Sequence, residues 1–201
     1  MTVHTLPLGA YQTNTYIVEN EGRCVIIDPG YEAQTILGFI AKRGLTADSI
    51  LLTHGHFDHV GAVEKIAEET GCKLWMSQSD WSQRISPLTS YFYPIANCDF
   101  TEVQFCEDGE EICAAGLTFS VLETPGHTRG SVCYLCNDAM FSGDTLFAGS
   151  CGRTDLPGGD WNTIAQSLKR LAKLDSNYTV YPGHGNSTTL AAEKQYNPYM
   201  R

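Results

Sequence analysis

Apolar residues fall in short runs separated by longer amphipathic stretches, and the two spacings predict different elements. Strand-like runs occupy 16–19, 24–28, 50–52, 73–76, 100–104, 117–123, 132–136, 139–142 and 179–181. Helical spacing predicts helices over 33–43, 60–70, 161–174 and 189–196. In the third of these, Ile164, Ala165, Leu168, Leu171 and Ala172 form an apolar stripe. Asp160 is placed to cap it, and Lys169, Arg170 and Lys173 suit the negative end of its dipole. The segment 80–97 fits neither period and carries Trp81, Tyr91, Phe92, Tyr93 and Pro94. Such aromatic loops wall or cover a pocket, or else form a local cluster or a dimer contact, and packing is the favoured reading. Periodicity by itself gives a chain of α plus β class.

Composition narrows this picture. With 201 residues and 42% hydrophobic content, the chain can bury a core of its own, so one domain over 1–201 is expected. A net charge of −10 repels a phosphate backbone and argues against nucleic acid as partner. No signal peptide, basic amphipathic stretch or long apolar span is evident, which predicts a cytoplasmic protein with no membrane partner. The eight cysteines lie mostly within apolar strand patterns and are expected to stay reduced. Cys133 and Cys136 have CxxC spacing inside a strand, where residues three apart face opposite sides, so neither a shared metal nor a redox disulfide is expected.

The chemistry is concentrated in the histidines. Of six, five accompany carboxylates at strand ends: His54, His56, Asp58 and His59 within 53–59, then His127, Asp144 and His184. His4 reads as a packed residue. The run 53–59 follows the apolar Ile50-Leu51-Leu52 and precedes a helical pattern, so a strand-to-helix turn presents the ligands. Such a turn can aim His54 and His56 at one ion and Asp58 and His59 at another, with Gly55 giving the backbone room. Three later strands repeat the arrangement, ending at His127, Asp144 and His184. Imidazole and carboxylate bind zinc, iron and manganese, and seven such donors are enough for two ions sharing a carboxylate.

Together with Asn14-Thr15-Tyr16, Asp28-Pro29-Gly30, Gly183-His184-Gly185 and Asn197-Pro198, the HxHxDH run resembles the metallo-β-lactamase superfamily along nearly the whole chain. The resemblance implies a four-layer αββα sandwich with a metal site at one edge. It implies a first ion on His54, His56 and His127, a second on Asp58, His59 and His184, and Asp144 bridging. Zinc is the first expectation, with iron and manganese compatible, and a water between the ions is the implied nucleophile for hydrolysis. Asp58 is the candidate proton carrier besides its ligand role. Asp28 resembles the family's carboxylate that orients a ligand from behind, or simply ends its strand in an Asp-Pro-Gly turn.

Departures from other branches of the family favour a glyoxalase II-like (hydroxyacylglutathione hydrolase-like) hydrolase. Asp144 is present where β-lactamases of this fold generally lack a bridging aspartate, and His56 stands where the flavin-linked diiron branch has glutamate. The acidic charge counts against the ribonuclease branch. Leu156-Pro157-Gly158-Gly159-Asp160 resembles the short bacterial hydrolases of the glyoxalase II type. With 17 residues after His184, the chain is read as lacking the C-terminal helical domain that helps full-length glyoxalase II bind glutathione. The expected substrate is a small molecule, a glutathione thioester first, for a monomer or homodimer. Arg153 is a candidate anchor for a substrate carboxylate or a partner of Asp155; Cys151 lines the pocket or merely packs; the family's terminal Asn-Pro implies that Tyr199 and Asn197 can fold back toward the metals, Tyr199 being a third substrate-binding candidate. The first rival reading is a mononuclear iron persulfide dioxygenase using His54, His127 and Asp144. A metal-stabilised scaffold without turnover is the second.

Overall fold

The computed structural model describes residues 1–83 and 103–201. Its first sheet sets β1 (Thr2–Leu8), β2 (Thr13–Asn20), β3 (Arg23–Ile27), β4 (Thr46–Leu51), β5 (Lys73–Ser77) and β6 (Val103–Cys106) side by side in chain order. The second runs β14 (Thr188–Thr189), β13 (Thr179–Pro182), β10 (Ala139–Gly143), β9 (Val132–Cys136), β8 (Leu117–Glu123) and β7 (Glu111–Ala114). A two-stranded hairpin joins β11 (Leu146–Phe147) to β12 (Ser150–Cys151).

Alternation along the strands explains the layering. In β2 and β3, Tyr16, Val18, Val25 and Ile27 enter the core between the sheets and meet Phe119, Val121, Tyr134 and Phe141. Their neighbours Ile17, Cys24 and Ile26 pack outward beneath α1 (Ala33–Lys42) and α3 (Val63–Thr70). On the other sheet, Leu122, Cys133, Met140 and Val180 pack outward beneath α5 (Trp161–Ala172) and α6 (Leu190–Tyr196). The result is the expected αββα sandwich. Strands buried on both faces read as unbroken apolar runs, and each fully buried large side chain adds about 1.5–3 kcal/mol. Cys133 lies in an outer core and Cys136 in the inter-sheet core, as the pleat requires.

Several elements depart from the sequence expectation. β1 pairs with β2 along its whole length; it is an edge strand, which is why it tolerates Pro7 and why its pattern is weak. The helix expected over 60–70 is split into α2 (Phe57–Val60) and α3. The break falls where Ala62 N–H donates to Pro29 O at 2.9 Å, so Asp58 and His59 occupy a helical turn of their own. The start of the 80–97 segment belongs to α4 (Gln78–Gln83), with Trp81 tilted against Phe105 at 6.3 Å. Its remainder, with Tyr91, Phe92, Tyr93 and Pro94, lies outside the described residues, as do 100–102 of the strand expected over 100–104.

Strands β3, β4, β5 and β6 are mutually parallel, and β10 is parallel to β13. The carboxyl ends of both sheets therefore open on one edge, where ligands bind in sheets of this kind. The two sheets are stapled there by the Asn14-Thr15-Tyr16 run of β2. Asn14 Nδ2 donates to Pro182 O (3.0 Å) and Gly185 O (2.9 Å), and Tyr16 OH donates to Pro182 O at 2.6 Å. Thr15 Oγ1 donates to Asp28 O at 2.8 Å.

Candidate metal centre

All seven sequence-predicted ligands converge on that edge. The donor atoms of His54, His56 and His127 lie within 4.8 Å of one another, and so do those of Asp58, His59 and His184. Asp144 stands between the two groups: its Oδ1 is 3.4 Å from His59 Nε2, and its Oδ2 is 3.5 Å from His127 Nε2 and 3.6 Å from His184 Nε2. His4 is elsewhere, paired with Glu19 at 2.8 Å.

Hydrogen bonding decides which imidazole nitrogen faces inward. Thr53 has one hydroxyl proton and gives it to Asp28 Oδ2 at 2.6 Å, so at 3.1 Å it accepts from His54 Nδ1. His127 Nδ1 donates to Arg153 O at 2.8 Å, His184 Nδ1 to Tyr11 O at 3.2 Å, and His59 Nδ1 to Asp28 Oδ2 at 2.9 Å. In each, Nε2 is left to face the centre, as oriented metal ligands require. His56 differs, turning Nδ1 to within 2.9 Å of His127 Nε2.

A buried centre of this kind calls for a cation. His54 Nε2, His59 Nε2 and Asp144 Oδ1 are buried and make no hydrogen bond of acceptable geometry among the described residues. Buried polar atoms are almost always satisfied, so three orphans at one point mark a missing partner. Asp28, His54 and His59 are close enough to form a third group. Both Asp28 oxygens are already spent, however, on Thr53 N at 2.8 Å, Thr53 Oγ1 and His59. Asp28 thus orients a ligand from behind, and its turn places it in the left-handed region with φ 49°.

Charge and burial push the groups apart in protonation. Burial holds His54 well below its ordinary pKa, and burial with the neighbouring imidazoles His127 and His59 brings His56 down to about 3. Both are therefore neutral at pH 7, the ligand form. Burial works against ionisation of Asp144, yet His59, His127 and His184 hold its carboxyl well below the usual carboxylate range. For His59 and His184 burial is outweighed, by Asp144 and Asp28 in one case and by Asp58 and Asp144 in the other, and both are raised. The histidine and aspartate clusters suit a dinuclear metal site, neutral imidazoles on one side and carboxylate-paired imidazoles on the other.

The centre floors a cavity of about 570 Å³, within the range of small-molecule sites. Tyr11, Phe57, Phe147 and Leu156 give it apolar walls, and Ser150, Cys151 and Arg153 complete it. Cys151 lines the pocket. Arg153 borders it too, but its fork is engaged by Asp155 at 2.7 Å on both arms. Tyr199 is not among the described residues lining the cavity: its ring packs edge-on against Trp161 at 5.8 Å, because Asn197 anchors the terminal turn to Ser150 O at 2.9 Å instead. Sequence reasoning missed Tyr11, Phe57 and Phe147, which carry no pattern beyond their proximity to ligands. It also missed Asp80, which is fully buried behind the ligand loops.

Residues 8–184 match the metallo-beta-lactamase superfamily. The chain belongs to that family. Hydroxyacylglutathione hydrolase GloC of Haemophilus influenzae is 33% identical, with 100% of this chain and 98% of the relative covered. Among solved structures, BLEG-1 B3 metallo-beta-lactamase is similar at a TM-score of 0.88 and 32% identity, covering 99% of each chain. TTHA1623, solved in a di-iron-bound form, is similar at 0.84 and 38% identity, covering 98% of this chain and all of that one (100%). The superfamily membership makes this metallo-β-lactamase-fold chain a hydrolase-like enzyme. No helix among its described residues is long and apolar enough to cross a membrane.

Proposed function

We propose that the chain is a two-metal thioesterase acting on S-hydroxyacylglutathione-type substrates, zinc being the first expectation for its ions. The carrying observation is the pair of three-donor groups with Asp144 between them and orphaned polar atoms facing inward. His54, His56 and His127 would hold one ion, Asp58, His59 and His184 the other, and Asp144 would face both. Two divalent ions held there supply a Lewis acid for the thioester carbonyl and a water acidic enough to attack it at neutral pH. The similarity to a hydroxyacylglutathione hydrolase supports the substrate class.

Asp58 is the proton carrier in this reading. Its Oδ2 is 3.2 Å from His184 Nε2 and accepts from Thr13 Oγ1 at 3.2 Å, so the carboxylate is oriented from two sides. Burial would raise its pKa, but His184 and His59 hold it below the usual value, leaving it ionised and able to take a proton. As water's oxygen bonds to the acyl carbon, the C–S bond breaks and the thiolate leaves. It acquires the proton that Asp58 Oδ2 has carried. Tyr11, Phe57, Phe147 and Leu156 would give the substrate apolar walls, while Arg153 can offer its fork to a substrate carboxylate once Asp155 releases it.

The test is hydrolysis of S-D-lactoylglutathione by purified protein, with a chelator-treated sample and metal analysis on the same preparation. Chelator-sensitive turnover with about two ions per chain supports the reading. Metal-loaded protein without turnover removes the substrate assignment. About one iron per chain with oxygen-dependent turnover of a persulfide overturns the hydrolase in favour of a dioxygenase built on His54, His127 and Asp144.

A further inference from the structure

Asp80 sits on α4, directly behind the turns that carry the first three ligands, and is fully buried. Its Oδ2 accepts from Gly55 N at 2.8 Å, between His54 and His56, and from Thr128 Oγ1 at 2.9 Å, next to His127. Its Oδ1 accepts from Gly130 N at 2.8 Å. One carboxylate thus ties together two ligand turns that are far apart in sequence. Among the described residues, a backbone hydrogen bond from Val132 N to Thr53 O at 2.8 Å also joins the two segments.

The fit around Asp80 is close. A Cβ on Gly130 would lie 2.4 Å from Ser77 Oγ and 2.7 Å from both Asp80 N and Asp80 Oδ1, so the turn after His127 can approach α4 only as glycine. Thr128 Oγ1 is held in turn by Ser131 Oγ at 2.7 Å. None of these atoms is among those lining the cavity, and the hydrogen bonds described for Asp80 go to Gly55 N, Gly130 N and Thr128 Oγ1. It acts on backbone and on one hydroxyl, which is the way to set where a turn sits rather than how a ring titrates.

We infer that Asp80 is a positioning residue that sets the distance between the His54/His56 turn and the His127 turn, and so the size of the first ion pocket alone. Among the described residues, the hydrogen bonds of Asp80 reach the first pocket's turns and not the second pocket, on α2 and just past the end of β13. The inference rests on the two-ion reading above. Asp80→Asn keeps the volume but places an amide N–H₂ against one of the N–H or O–H donors, so at least one donor loses its acceptor.

The experiment is zinc titration of metal-free protein against a chromophoric chelator, in backgrounds that isolate each pocket. In His184→Ala, which cripples the second pocket, Asp80→Asn should weaken the remaining ion by about 10- to 100-fold. In His56→Ala, which cripples the first, it should change the remaining affinity by less than about twofold. Equal losses in both backgrounds, or none in either, overturn the inference. Should Asp80→Asn fail to fold, Thr128→Val removes a single donor and should show the same one-sided loss at a few-fold, with Thr128→Ser restoring affinity; a two-sided loss again overturns it. Wild-type protein that binds two ions yet leaves lactoylglutathione intact removes the thioesterase assignment and leaves Asp80 in place, whereas wild type that binds no zinc removes both.

Discussion

The two halves of the centre are built on opposite principles. His54, His56 and His127 are sealed, at 1%, 3% and 2% exposure, and His127 meets the shared Asp144 at 3.5 Å. In the other half the His184 side chain is 28% exposed and the Asp58 side chain 12%, and each imidazole leans on a carboxylate. The first half is held by framework, by Thr53, the Arg153 carbonyl and Asp80 behind it. The second, more open half is held by charge: Asp58 and His184 are its exposed members while His59 is buried, and the cavity is lined by both halves, through His56 and His127 as well as Asp58 and His184. Burial keeps His54 and His56 neutral, whereas charge from His184 and His59 keeps Asp58 ionised beside the cavity. In the proposed reaction, proton transfer falls to the open half, through Asp58.

The sharpest way to break this contrast is Asp58→Ala. It takes the proton carrier and one donor from the open half and leaves the sealed half intact. The expected outcome is a fall of about 10³-fold in kcat/KM for a thioester, with about one ion retained per chain by metal analysis. Most of the activity surviving in a folded variant loaded with two ions would refute the assignment.

Gly183→Ala should act next most strongly. A Cβ there would lie 2.2 Å from Asp144 Oδ1 and 2.6 Å from His59 Cε1, so it pushes on the shared carboxylate and on the open half together. Chelator competition should show a loss of about 10- to 100-fold in affinity for the weaker ion and a smaller loss for the tighter one. Equal losses for both ions would erase the distinction between the halves.

What the sequence could show of this site follows from where its information lies. Four ligands fall within 53–59 and the other three each end an apolar run, so donor chemistry and strand ends coincide and can be read locally. The layers were legible only through the family resemblance, because the apolar runs of β2, β3, β8 and β9 by themselves give no more than α plus β. Asp80 was illegible because its role exists only once Gly55, Thr128 and Gly130 are brought to it from two other segments. Pro7 hid β1, since a proline in a short mixed run argues against a strand unless the strand is known to be at an edge. The terminal Asn197-Pro198 suggested that Asn197 and Tyr199 fold back toward the metals, and the two residues go different ways. Asn197 bonds Ser150 O and Glu193, while Tyr199 packs against Trp161.

Arg153 belongs to both halves, and separating its two parts sharpens the comparison further. Its carbonyl serves His127 in the sealed half, whereas its side chain borders the open cavity. Arg153→Ala removes only the second part. KM for an anionic thioester should rise about tenfold, in keeping with a lost charge-assisted hydrogen bond, while kcat and metal content stay level. A drop in metal content would mean that the side chain, and not just the carbonyl, supports His127.

The smallest expected effect comes from Asp155. Its side chain is 68% exposed and occupies both arms of the Arg153 fork, so in the free protein it competes with any substrate carboxylate for the same guanidinium. An exposed ion pair is weak, so its release costs little, and Asp155→Asn should lower KM for an anionic thioester by only about two- to threefold. The direction carries the argument, being opposite to that of Arg153→Ala, and it should vanish for a neutral thioester and shrink as salt is raised. A KM that rises with Asp155→Asn would mean that the pair holds the guanidinium in its binding position, and the open half would then prove to have a framework of its own.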